Sequence, residues 1–214
     1  MRAGYPRRMS DDASPWVPAR GGLPSLRQAV HECRGCELHR DATAVSSTGP
    51  RSAALMLVGE QPGDREDREG EPFVGPAGRV LDEALDAAGV PRDAVYLTNA
   101  VKHFRHEDRG ARRIHKRPAV RHIVACHPWL ERELDIVQSS VVVCLGATAG
   151  RAVLGRDVRI GAERGSAIPL EGAGVALITA HPSSLLRLRD RDGYDDAFEA
   201  LVADLRTAME LARR

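Results

Sequence analysis

In 111-ARRIHKRP-118 a single imidazole, His115, stands among Arg112, Arg113, Lys116 and Arg117, with almost no apolar side chain nearby. A neutral imidazole is a nucleophile and a protonated one is not. Four adjacent cations oppose protonation, so this composition favours the reactive form, and the same cations suit a phosphate backbone. The wider segment 102–117 carries seven Lys or Arg against two acids, although most such runs are simply solvated faces. A second histidine, His181 in 181-HPSSLLR-187, follows directly on an apolar run, and Pro182 stiffens the turn. Two Gly-Pro segments, 59-GEQPGD-64 and 70-GEPFVGPAGR-79, bring carboxylates at Glu60 and Asp64 and a loop aromatic at Phe73. In a chain that is only 4% aromatic, that ring is either packed beneath its loop or offered as a stacking surface.

Four cysteines form one close pair, 33-CRGC-36, and two singles, Cys126 and Cys144. A thioredoxin-type CxxC follows a strand, and no strand pattern precedes this one. Structural zinc usually takes two close pairs, whereas CxxC with two distant thiolates suits an iron–sulfur cluster. Zinc and unligated core cysteines stay open on spacing alone, since Cys126 and Cys144 both lie in apolar surroundings.

Something must position these groups. Four apolar runs, 53-AALMLVG-59, 94-AVYLTNAV-101, 140-SVVVCLGA-147 and 175-VALITA-180, read as strands buried on both faces. Helical patterns alternate with them at 76–90, 118–134, 147–155 and 193–214, implying an α/β fold: a three-layer α/β/α sandwich around a mainly parallel, four-stranded sheet. Ligands of such sheets bind beyond the carboxyl ends of the strands. Those ends are 59-GEQPGD-64, Asn99, 146-GAT-148 and 181-HPSS-184, so the chemistry-bearing segments gather at one edge. Residues 1–24 mix Pro, Gly, Ser and charge without periodicity and read as a flexible tail before a single domain at 25–214. The chain has 31 Lys plus Arg against 30 Asp plus Glu, so attraction to nucleic acid would have to come from local clustering of charge. No run reaches the roughly 20 apolar residues of a membrane span. A soluble, cytoplasmic protein is expected, and nothing in the sequence demands more than a monomer.

Taken in order, 59-GEQPGD-64, 73-FVGPAG-78, Thr98-Asn99, 113-RIHK-116, 181-HPSS-184 and the four cysteines resemble the uracil-DNA glycosylase superfamily. More narrowly they are similar to its iron–sulfur branch and to the UdgX type within that branch, whose discriminating feature is the RRIHK insertion. The resemblance covers nearly the whole chain after residue 25. It implies a [4Fe–4S] cluster held by Cys33, Cys36, Cys126 and Cys144, with a structural role. It also implies excision of uracil from DNA, single-stranded or flipped out of a duplex, followed by covalent bonding of His115 to C1′ of the sugar.

Under that resemblance Phe73 stacks on the base, and the Asn99 amide accepts from uracil N3–H and donates to O4. Gly59 and Gly63 line the base site. His181 donates to uracil O2, Glu60 favours the sugar cation, the Gln61 turn helps hold the base, and Asp64 supports them electrostatically. Arg112, Arg113, Lys116, Arg117 and Arg187 would meet phosphates, with Ser183, Ser184 and Leu185 pressed into the DNA. A turning-over hydrolase and a non-catalytic iron–sulfur protein that binds single strands are the competing expectations.

Overall fold

A computed structural model of the chain describes residues 12–171, 174–189 and 191–213. Five strands form the central sheet: β1 (Leu55–Gly59), β2 (Tyr96–Asn99), β5 (Val141–Leu145), β6 (Ala167–Pro169) and β7 (Val175–Thr179). Their order is β2-β1-β5-β7-β6, parallel except for β6, which runs antiparallel to β7. The expected four-stranded sheet thus gains one edge strand. Ala167–Pro169 is short and largely exposed, and it carries a proline that only an edge strand accommodates, so no hydrophobic pattern announces it.

The apolar strands are buried on both faces, and alternation sorts their side chains into two layers. Met56, Val58, Tyr96, Val142, Cys144, Ala176 and Ile178 face α1 (Leu23–Val30), α4 (Val120–Val137) and α5 (Ala147–Leu154). Leu55, Leu57, Leu97, Val143, Leu145 and Leu177 face α3 (Pro76–Ala88), α7 (Pro182–Leu186) and α8 (Tyr194–Ala212). Pro at the start of α3 and left-handed Gly89 after it delimit that helix as its sequence implies.

Two further elements complete the scaffold of the site. The short helix α2 (Asp64–Glu69) follows β1, and β3 (His106–Arg109) pairs antiparallel with β4 (Arg112–His115) in a separate hairpin. The basic segment expected as a loop is therefore a β-ribbon. A four-residue helix, α6 (Ile160–Glu163), precedes β6.

The expected tail divides. Residues 1–11 lie outside the described residues, whereas the chain from Asp12 is packed. Ala13 is fully buried, its N–H donates to the Ala125 carbonyl at 2.8 Å, and Trp16 and Val17 lie on the core beside α1 and α4. Those aromatic and apolar contacts anchor a stretch whose composition reads as unstructured. Among the described residues no helix is long and apolar enough to cross a membrane.

Candidate active site

Parallel strands bring Gly59 and Asn99 side by side in register at the carboxyl edge. A Cβ on Gly59 would stand 2.3 Å from Asn99 Oδ1 and 2.7 Å from Phe73 Cζ. The amide and the ring therefore meet over a bare strand end that only glycine permits. Phe73 holds this place with φ of 58°, an uncommon conformation for an aromatic residue. Its carbonyl rests on Gly78, where a Cβ would approach within 1.8 Å, and accepts from Arg92 Nη2 at 3.3 Å. The Asn99 side-chain amide has no hydrogen bond among the described residues, which leaves both its donor and its acceptor to a ligand.

Glu66, which the sequence reading passed over, ties the two Gly-Pro loops together. Its carboxylate accepts from Gly63 N at 3.2 Å and from Gly75 N at 3.0 Å. The Gly63 amide, expected at the base, is thereby committed within the protein.

At the end of β7, His181 Nδ1 accepts from the Ser183 backbone N–H at 3.1 Å, with Ser183 Oγ at 2.8 Å. A ring whose Nδ1 accepts carries its proton on Nε2 when neutral. Burial first, with His115 and Arg187 as further neighbours, lowers the His181 pKa to about 4, so the neutral donor form persists. Gly146 allows this placement, since a Cβ there would lie 3.1 Å from His181 Cβ. Ser184 Oγ donates to the His181 carbonyl at 2.7 Å. Both serines are thus occupied in shaping the turn, while Arg187 is exposed. Leu185 does not face outward: it is fully buried among the residues of α3 and α8, because α7 turns its apolar side to the core.

The hairpin carries His115 over the same edge. His115 Nε2 lies 3.4 Å from Glu60 Oε1, the first residue past β1. The other Glu60 oxygen accepts from Thr148 Oγ1 and lies 3.9 Å from Arg117 Nε. Phe104 supports the ribbon from below, stacked on His106 with centroids 5.0 Å apart and 6.0 Å from the His115 ring.

The side chains of Gln61 and Asp64 both engage the hairpin. The buried Gln61 amide donates to the carbonyls of Arg105 and Lys116, each at 3.2 Å, and accepts from Arg105 N at 3.1 Å. This side chain pins both roots of the hairpin. Asp64 Oδ1 accepts from Arg113 Nε at 2.5 Å, and Asp67 Oδ2 accepts from Arg113 Nη1 at 2.5 Å. Arg113 also lies over the Phe104 ring at 5.5 Å. Arg113 is accordingly an internal clamp between β4 and α2, with its charge already matched. Lys116 pairs with Glu107, and Lys102 is buried in a pair with Glu133 at 2.8 Å. Arg112 alone of the four cations flanking His115 is exposed without a partner among the described residues.

Behind Asn99, three thiols come together. Cys126 is hydrogen-bonded to Cys36, which holds the Cys36 thiol well below the usual range and pushes Cys126 up. Cys33 lies within electrostatic reach of both, and its sulfur accepts from Trp129 Nε1 at 3.2 Å. Cys144, expected with them, shares the same face of the sheet but is fully buried within β5. Burial alone pushes its thiol up to about 12. Among the described residues no three His, Cys, Asp or Glu side chains are grouped as for a single metal ion.

A sequence model described as the uracil DNA glycosylase superfamily matches residues 46–206, which include every strand of the sheet. A Type-4 uracil-DNA glycosylase from Thermotoga maritima is 36% identical over 169 residues, covering 78% of this chain and 84% of the relative. Another, from Archaeoglobus fulgidus, is 32% identical over 188 residues, covering 84% and 91%. A third, from Pyrobaculum aerophilum, is 34% identical over 173 residues, covering 77% and 85%. Aligned with these relatives along most of both chains and matched across its whole sheet, the chain belongs to the uracil DNA glycosylase superfamily.

Proposed function

We propose that the protein excises uracil from DNA and is then captured through His115 on the resulting sugar. The observation that carries this reading is the approach of His115 to Glu60, 3.4 Å apart, at the strand edge where Gly59, Phe73 and Asn99 meet. The flipped base lies on Phe73, a contact worth roughly 1–3 kcal/mol. The free Asn99 amide accepts from N3–H and donates to O4, a pattern that cytosine cannot match. As the C1′–N1 bond breaks, its electron pair leaves with uracil, and His181 Nε2–H donates to O2. Glu60, held by Thr148, stabilises the developing sugar cation. An imidazole nitrogen of His115 then gives its lone pair to C1′, and the ring proton has Glu60 within reach as acceptor. A glycosylated imidazole leaves poorly without an activated water, so the adduct persists.

Exposed Arg112 and Arg187 hold phosphates, whereas Arg113, Lys116 and Arg117 shape the ribbon that carries the nucleophile. Cys33, Cys36 and Cys126 fit an iron–sulfur site: their thiols converge, and N–H groups of Trp129 and of the Lys102 backbone already point at sulfur. Bound there, a cluster would supply structure rather than chemistry, and would join the segment around 33–36 to α4.

The relatives, named as Type-4 uracil-DNA glycosylases, favour a second reading in which water replaces His115 and the enzyme turns over. A denaturing gel with a uracil-containing oligonucleotide and its thymine counterpart separates the two. A stable shifted band with uracil alone supports capture. Abasic product without a shift supports hydrolysis and overturns the role of His115.

A further inference from the structure

We propose that His103, rather than Cys144, completes the iron–sulfur ligand set with Cys33, Cys36 and Cys126. The inference rests on the cluster reading above and names its fourth ligand. His103 follows β2 by four residues, is 2% exposed, and lies against the Cys36 thiol. Its Nδ1 is buried and has no hydrogen-bond partner. Such an orphaned nitrogen is destabilising, so the fold carries it only where something else occupies it. Imidazole replaces thiolate at some iron–sulfur irons, and the chemistry requires only a neutral ring with a free lone pair.

Cys144 has the opposite surroundings. It sits inside β5, paired in register with Val58 on one side and Ile178 on the other, in an apolar layer. Among the described residues it has no hydrogen-bond or charge partner, and a strand held from both sides cannot shift to offer its sulfur elsewhere. The three other cysteines interact with one another, and His103 joins that group through Cys36. One imidazole in place of one thiolate also removes a negative charge from the cluster, which raises its reduction potential over that of a four-thiolate site.

The full chain, purified without oxygen, tests this by iron and sulfide content, visible absorbance and electron paramagnetic resonance. In wild-type protein labelled with 15N-histidine and reduced with dithionite to the paramagnetic state of the cluster, pulsed resonance should detect a strongly coupled imidazole nitrogen. Cys144→Ala should keep the full iron and sulfide content and an unchanged spectrum. His103→Ala should lose iron, and His103→Cys should restore it with no nitrogen coupling and a more negative potential. Loss of the cluster in Cys144→Ala, together with its retention and an unchanged spectrum in His103→Ala, would overturn the assignment. So would an intact wild-type cluster that gives a resonance signal on reduction but shows no nitrogen coupling, which needs no variant to fold. Wild-type protein without iron and sulfide would overturn the cluster reading itself, and the ligand assignment with it.

Discussion

Glu60 Oε1 stands 3.4 Å from His115 Nε2, joining the first residue past β1 to the last residue of β4 across 55 positions of sequence. In the proposed reaction this carboxylate serves both the cationic charge on the sugar and the ring proton of the imidazole. Glu60→Gln should slow adduct formation by roughly 10²-fold, within the range for positioned acid–base groups. Single-turnover gels report the rate. His115→Ser should give no adduct at all, and water then completes the reaction to free abasic product. An adduct that still forms in His115→Ser would rule out this nucleophile.

Gly59→Ala tests the proposed base site. The new methyl would crowd both Asn99 Oδ1 and Phe73 Cζ, at 2.3 and 2.7 Å. Uracil excision should fall by at least about 10²-fold, since a small misplacement of reacting groups has that effect. Circular dichroism should show that the sheet survives. Near-normal activity in this variant would mean that the base does not sit between those side chains.

Arg112 and Arg113 are neighbours in sequence with different tasks. Arg112→Ala should reduce the slope of log affinity against log salt by about 0.7–0.9 on uracil-containing DNA, as expected for one lost phosphate contact. Arg113→Ala should leave that slope unchanged and instead cut adduct yield, because it frees β4 from Asp64 and Asp67. Equal salt slopes for the two variants would contradict the clamp.

His181 makes stability depend on pH in a defined window. Its folded pKa of about 4 lies below the ordinary 6.5, so between those values the unfolded chain takes up a proton that the folded chain refuses. Stability should therefore fall as pH drops from 6.5 towards 4, by at most about 1.4 kcal/mol per unit from this group. Urea midpoints at several pH values, compared between wild type and His181→Asn, should show a steeper acid-side loss in wild type.

Elements that bury a continuous apolar run could be read directly: β1, β2, β5 and β7 coincide with their sequence segments, and their ends assemble the expected edge. The β3–β4 ribbon could not. His106–Arg109 and Arg112–His115 are mostly exposed and lack alternation, and Gln61 and Arg113 pair them through partners more than 40 residues away. Tertiary bonds there supply what local pattern does not.

Individual side-chain partners were illegible for the same reason. Gln61, Asp64 and Arg113 have polar side chains suited to chemistry, but each meets a protein group first. Thr148, Glu66 and His103 went unnoticed because a hydroxyl, a helix carboxylate and one histidine among eight carry no signal alone. For His103 a cue existed in 101-VKHF-104, where a histidine is placed between Val101 and Phe104, both of which are buried.

Because Gln61 fastens the hairpin at its roots and Arg113 fastens it midway, nothing at its far end determines where the imidazole sits. The turn at Gly110 is open to solvent, with no atom within 4 Å of a built Cβ. That tip is a natural attachment point. Extra residues or a reporter dye inserted between Gly110 and Ala111 would leave His115, at the opposite end of the ribbon, where it is.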